Sequence, residues 1–306
     1  MNFTDLFNLQ IMMFLLMGIG FFLRKKEIIT TAGKRVLTDL VIDLILPCNI
    51  ISAFCIEFSK EILTQGMEIL IISCLNQAMC MVLACVLYRN FPKEKKMVLQ
   101  YGTICSNAGF LGNPVAEGIY GPMGLLYASI YLIPQRIIMW SAGVSFFTES
   151  PNKKTLVKKV LTHPCIVAVF IGVALMVSQI QLPTFLGNTI ENVGDCTTSI
   201  VMLLIGAILA EADLKTMVTK TTAAYSVLRL VIIPVIVLAG CRLANMPALV
   251  AGLSTILAAM PAGTTTAILA VKYDGDEEFA TKCVVLTTML SMIMIPIWCM
   301  IISAIY

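Results

Sequence analysis

The chain has 306 residues, of which 58% are hydrophobic and only 13% charged, with a net charge of +3 and a mean hydropathy of +0.91. A water-soluble domain carries about 25% charged residues, so the composition excludes an ordinary soluble enzyme and predicts a helical membrane protein without a separate soluble domain. No nucleic-acid partner is expected, and membrane lipid is the expected surroundings.

In chain order the apolar runs predict ten spans, at 6–23, 34–56, 66–89, 97–120, 123–147, 161–180, 188–210, 220–241, 247–271 and 278–304. The opening MNFTDLFNLQ has no basic stretch before its apolar run, so no cleaved leader is expected. Span one ends on Arg24-Lys25-Lys26, which reads as a stop at the cytoplasmic surface. Span two carries Asp39 and Asp43, one helical turn apart and on one face. Span four, YGTICSNAGFLGNPVAEGIYG, is interrupted by glycines, a proline and small polar residues. Span five carries Arg136 after Pro134-Gln135. The polar stretch Thr148 to Lys159 is a short loop. His163, before Pro164, reads as a helix entry rather than a ligand. Span seven carries Glu191 and Asp195, span eight carries Arg229, and span nine, STILAAMPAGTTTAILAVKYDG, is interrupted like span four. Asn49, Asn76 and Gln77 either bridge helices or line a path. The eleven cysteines, Cys74, Cys80, Cys85, Cys283 and Cys299 among them, show no metal spacing and read as small buried hydrophobes.

Seventeen of the 21 Lys and Arg residues fall on one side of this alternation, among them Lys34, Arg35, Lys95, Lys153, Lys159, Lys215 and Lys282. That side is predicted to be cytoplasmic, with both termini outside the cell membrane. The chain also divides into two five-span halves, 1–150 and 151–306. The acid pairs of spans two and seven are offset by 152 positions, and the tyrosines that close the broken spans, in Tyr120-Gly121 and Tyr273-Asp274-Gly275, by 153. An odd number of spans per half makes this an inverted repeat. The expected fold is therefore all-α and integral to the membrane: ten helices in two inverted five-helix repeats, with broken helices 4 and 9.

The breaks are the candidate site. A lipid-facing helix gains nothing from a break, because the freed backbone groups are left unsatisfied in hydrocarbon. Gly109 and Gly112 allow close backbone approach, and Pro114 disfavours helix at Asn113, so a half-helix is expected to begin near Pro114. Pro261, Ala262 and Gly263 form the second break, with a half-helix from Pro261 or just after it. Two half-helix N-termini at mid-membrane suit an anion, which Asn107, Asn113 and the hydroxyl of Thr264 would orient. The bland alternative is that proline and glycine merely kink packed helices. Asp39, Asp43, Glu191 and Asp195 are candidates for coupling H+ or Na+, with interfacial pairing of Asp39 to Lys34 or Arg35 as the alternative. Arg136 pairs either an anionic substrate or one of Asp43 and Asp195, and Arg229 either snorkels or pairs Asp195. No nucleophile triad, phosphate loop or metal cluster is visible, and no catalytic residue, cofactor or metal is expected.

The run SNAGFLGNPVAEGIYG resembles the crossover signature of the auxin efflux carrier family, and MPAGTTTAILAVKYDGDEEFATKCVVLTTMLSM is similar to the family's second-repeat pattern. The resemblance covers the whole chain. It implies crossing helices 4 and 9 around the site, a scaffold of helices 1, 2, 6 and 7, and a moving transport domain. It also implies a secondary carrier of small organic anions such as malate, malonate or auxin, with Asn107, Asn113 and Pro114 in the first crossover and Pro261 in the second. The long central hydrophilic loop of the plant exporters is missing, so a small carboxylate fits better than auxin. The competing classes are an intramembrane enzyme, which would pair Asp43 with Asp195, and a channel. A homodimer is compatible with the scaffold.

Overall fold

The computed structural model describes residues 3–55, 59–139, 143, 146–147, 161–211, 217–273 and 275–306. The predicted loop from Thr148 to Lys159, Lys215 and Asp274 lie outside the described residues. The described residues are helical, with no strand beyond one isolated antiparallel bridge. In order the helices are α1 (Phe3–Lys25), α2 (Thr31–Leu40), α3 (Leu46–Phe54), α4 (Lys60–Leu87), α5 (Lys93–Ile104), α6 (Asn113–Ile138), α7 (Pro164–Ser178), α8 (Thr184–Gly194), α9 (Cys196–Leu209), α10 (Lys220–Val227), α11 (Ile233–Leu243), α12 (Ala248–Ala258), α13 (Thr265–Lys272) and α14 (Glu277–Ile305). Wholly described π turns join some of them: Val41–Ile45 before α3, Ala108–Gly112 before α6 and Leu228–Ile232 before α11.

Five stretches are long and apolar enough to cross a membrane: Thr31–Phe54, Lys60–Leu87, Thr184–Leu209, Lys220–Leu243 and Glu277–Ile305. Pro164–Ser178 and Ala248–Ala258 are shorter apolar helices. Most outer ends of the helical stretches fall within a few residues of the predicted spans; α4 starts at Lys60 rather than near 66, and α6 ends at Ile138 rather than near 147. α6 runs through the predicted boundary between spans four and five. The turn is still there: Gly121 has φ 65° and ψ −156°, a conformation inside the helix that only glycine adopts at low cost.

Each of these π turns is followed at its second residue by a proline: Pro47, Pro114 and Pro234. Proline has no N–H to give and its ring crowds the carbonyl four residues back. A π turn, with its bonds lengthened by one residue, meets that gap without breaking the helix. For Pro234 the carbonyl concerned belongs to Leu230, and the buried Trp298 indole supplies the missing donor at 2.8 Å.

The chain divides into two compact units, taken over their described residues. The first comprises Met1–Gly66, Asn113–Ile130 and Leu161–Glu211; the second comprises Met67–Gly112, Tyr131–Val160 and Ala212–Tyr306. In the first, α1 and α9 cross at two glycines. A Cβ on Gly20 would stand 2.1 Å from the Leu203 carbonyl oxygen, and one on Gly206 2.0 Å from that of Met17. α3 lies between α7 and α8 in the same manner, with Gly172 against the Phe54 ring and Gly194 against the Asn49 backbone. Glu211 joins Arg24 (2.8 Å) and Lys34, and Arg24 also bonds the Ile29 carbonyl and Thr31. Lys34 is therefore committed to Glu211 rather than to Asp39. His163 caps α7, its Nδ1 accepting from the Cys165 N–H at 3.3 Å. All eleven cysteines are free thiols, and the expectation that they are uniformly buried fails for Cys55, Cys74, Cys85 and Cys196, which are exposed on helix surfaces and ends.

Candidate functional site

Within the second unit, α5 ends at Ile104 and the chain becomes extended at Cys105. α12 likewise ends at Ala258, and Met260 to Ala262 run non-helically to the Thr264 N-cap of α13. The two extended pieces pair with each other. The Asn107 N–H donates to the Pro261 carbonyl at 2.8 Å and the Gly263 N–H to the Cys105 carbonyl at 2.9 Å, forming an antiparallel bridge between Ser106 and Ala262. Backbone groups freed by both breaks thus satisfy one another, which buried irregular backbone requires.

Side chains hold this crossing from outside. Gln135 bonds Ser106 twice at 2.7 Å, its amide nitrogen donating to the backbone carbonyl and its amide oxygen accepting from the hydroxyl. Thr287 accepts from the Ala262 N–H at 3.2 Å while donating to the Cys283 carbonyl at 2.7 Å. Tyr101 donates to Thr265 at 3.2 Å. Gly112 and Gly263 are held against neighbours. A Cβ on Gly112 would lie 2.9 Å from Leu257, and one on Gly263 3.0 Å from the Cys105 carbonyl.

The first half-helix begins earlier than Pro114. Its ladder starts at Asn107, whose carbonyl accepts from Leu111 at 2.9 Å and from Gly112 at 3.3 Å. The π turn accommodates Pro114, so the proline does not mark the break. Asn107 is buried, and its side-chain nitrogen has no partner among the described residues. Arg136 is buried beside the Gly109 backbone, its Nη2 being 3.8 Å from where a Cβ would stand, and its Nη1 has no partner among the described residues. No carboxylate among the described residues of this unit lies within ion-pair distance of Arg136 or Arg229. Two helix N-termini, an orphaned amide N–H donor and an unpaired guanidinium converge on the crossing, an arrangement that donates to an anion and offers little to a cation.

Asn113 opens α6 in the first unit, fully buried, with neither amide atom partnered. The same unit holds a cavity of ≈ 700 Å³ lined by Asn49, Glu117, Gln179, Asn188, Glu191 and Asp195 among others. Its ionisable lining is acidic throughout. Asn49 donates to Glu117 at 3.2 Å. Glu191 and Asp195 share this cavity, whereas Asp39 and Asp43 do not line it and are exposed on their helix surface. Asn76 bonds the Tyr131 hydroxyl at 2.9 Å and so bridges helices within the second unit. Gln135, Thr287 and Glu117 escaped the sequence reading. Glu117 stands one turn beyond Asn113 in the motif itself, a legible signal; the partners of Gln135 and Thr287 are set by tertiary packing alone.

The family model described as "Membrane transport protein" matches residues 6–299. The chain belongs to this family. The crossover resemblance to auxin efflux carriers is thereby sustained over nearly the whole chain. A protein of Methanothermobacter thermautotrophicus called an uncharacterized transporter is 26% identical over 225 residues, 69% of each chain. Another uncharacterized transporter, from Methanocaldococcus jannaschii, is 22% identical over 301 residues, 95% of this chain and 97% of its own. Family membership and the apolar helices together make this a multi-pass membrane protein of a transporter family.

Proposed function

We propose that the protein is a secondary transporter of small organic anions, carboxylates in particular, with the crossing of the two broken helices as its carrier site. The carrying observation is the mutual pairing of Asn107 with Pro261 and of Gly263 with Cys105, beside the unpartnered nitrogens of Asn107 and Arg136. Backbone pairing fixes the two half-helix N-termini relative to each other. The orphaned donors are costly to bury unless a ligand accepts from them.

In this reading ten spans form two inverted repeats, 1–150 and 151–306, with both termini outside the cell membrane. The unit holding α1, α2, α7 and α9 is the scaffold, and the other moves in an elevator-like alternation. The support for this assignment is that α1, α2, α7 and α9 fall in one compact unit, although that unit also takes in Asn113–Ile130 of spans four and five, which the resemblance gives to the moving part. Coupling to H+ or Na+ falls to Glu191 and Asp195, which share the acidic cavity; Asp39 and Asp43 are the weaker candidates because they lie outside it.

The test is uptake of a labelled carboxylate panel into proteoliposomes under imposed H+ and Na+ gradients, wild type against Asn107→Ala and Arg136→Met. Loss of saturable uptake by at least about ten-fold in folded Asn107→Ala is expected for a donor to a charged ligand. Undiminished transport by that variant removes the crossing from the mechanism.

A further inference from the structure

Arg229 sits on the π turn Leu228–Ile232 in the second unit, 2% exposed, with Nε and Nη1 lacking partners among the described residues. No carboxylate of that unit is within ion-pair distance among the described residues. Snorkelling does not rescue it, because the guanidinium itself is buried. One turn earlier on the same helix face, the Tyr225 hydroxyl is buried and unpartnered, and so is the Thr266 hydroxyl on α13. These groups share one neighbourhood. A Cβ on Gly102 would stand 2.5 Å from the Tyr225 oxygen and 3.6 Å from Thr266 Cγ2, so these two side chains flank the same glycine, and Arg229 follows one turn beyond Tyr225.

Tyr88 donates to Thr103, whose own proton goes to the Leu99 carbonyl, and Tyr131 accepts from Asn76; among the described residues neither hydroxyl oxygen bonds Nε or Nη1 of Arg229. Among the described residues of this unit, what remains is a fixed positive charge with four orphaned donor groups and no carboxylate in ion-pair range. Water could occupy such donors but would leave the charge uncompensated in a low-dielectric interior, a costly state. The Tyr225 and Thr266 hydroxyls are neutral near pH 7 and do not offset that charge.

We propose that Arg229, with Tyr225 and Thr266, forms a buried subsite for one negatively charged group, distinct from the crossing at Asn107 and Arg136. The group is either a free inorganic anion or the second carboxylate of a transported dianion. Only the latter source rests on the carrier reading given above.

The experiment is thermal unfolding of the purified protein at constant ionic strength, titrating chloride, acetate or succinate into gluconate buffer. Saturable stabilisation by chloride, absent in Arg229→Met, establishes a free-anion subsite. Saturable stabilisation by succinate but not by chloride or acetate, again absent in Arg229→Met, assigns the subsite to the substrate's second carboxylate. Should Arg229→Met fail to fold, Tyr225→Phe and Thr266→Val each delete one donor with little change of shape. Each is expected to weaken half-saturation about ten-fold, the effect of one hydrogen bond to a charged group. No saturable response to any of the three anions, or a response unchanged in these variants, overturns the proposal. Asn107→Ala separates the two sites: it leaves a chloride response intact, even if it abolishes carboxylate uptake.

Discussion

Buried polar side chains in this protein act mainly by supplying what an interrupted backbone lacks. Thr287 meets the Ala262 N–H, Gln135 meets the Ser106 carbonyl, and Trp298 meets the Leu230 carbonyl that Pro234 cannot reach. Trp298→Phe keeps an aromatic ring but deletes the donor. It is expected to destabilise the protein by about 1–3 kcal/mol, the cost of one buried unsatisfied carbonyl, read as a lowered unfolding midpoint in detergent; an unchanged midpoint would show that water serves Leu230 equally well. Asn107 and Arg136 were legible in the sequence because a polar residue amid apolar ones is costly and therefore conspicuous. Gln135 and Thr287 were not, since their value depends on a partner far away in the chain. The acids divide similarly: spacing showed that Glu191 and Asp195 share a face, but only packing shows that they line a cavity while Asp43 does not.

Among the elements, hydrophobic length placed most outer ends of the long helical stretches within a few residues, because a bilayer-sized apolar run has few alternatives, but not the breaks inside them at Leu40–Leu46, Gly194–Cys196 and Val227–Ile233. The π turns went unread. Their marker, a proline two residues beyond the turn, is equally compatible with a kink or a half-helix start, which is why Pro114 was taken to begin a helix whose ladder starts at Asn107. The turns also carry residues of interest, Asp43 on Val41–Ile45 and Arg229 on Leu228–Ile232. Helix packing has its own requirement where α1 crosses α9. Gly206→Ala would place a methyl 2.0 Å from the Met17 carbonyl oxygen, a collision with backbone that no rotamer relieves. Loss of about 1–3 kcal/mol or more, with a lower unfolding midpoint and reduced yield, is the expected outcome. Gly240, by contrast, has open space around its missing Cβ, so Gly240→Ala serves as the control expected to be neutral or better.

For the molecule as a whole, the predicted repeat and the observed compact units divide the chain differently. The predicted halves meet near residue 150, whereas each compact unit draws segments from both sides of that point. Sequence offsets can reveal the first division, but the second depends on which helices share faces. Orientation is testable with what the protein already carries. Cys55 is a free, exposed thiol on the rim of the acidic cavity. With the basic loops inside, the end of α3 faces outward, so a single-cysteine protein retaining Cys55 should be labelled by a membrane-impermeant maleimide on intact cells. Labelling only after permeabilisation would reverse the topology.

The bridge between Ser106 and Ala262 carries a dynamic consequence. Asn107 and Gly263 lie 156 positions apart, outside any regular helix, yet each amide is held by the other's strand. Neither can be released to solvent deuterium without parting the pair. Their exchange with solvent is therefore a single concerted opening, with one rate shared by both positions and slower than the neighbouring loop ends. A ligand seated on the crossing would slow both amides together, so occupancy can be followed there without knowing the ligand's identity.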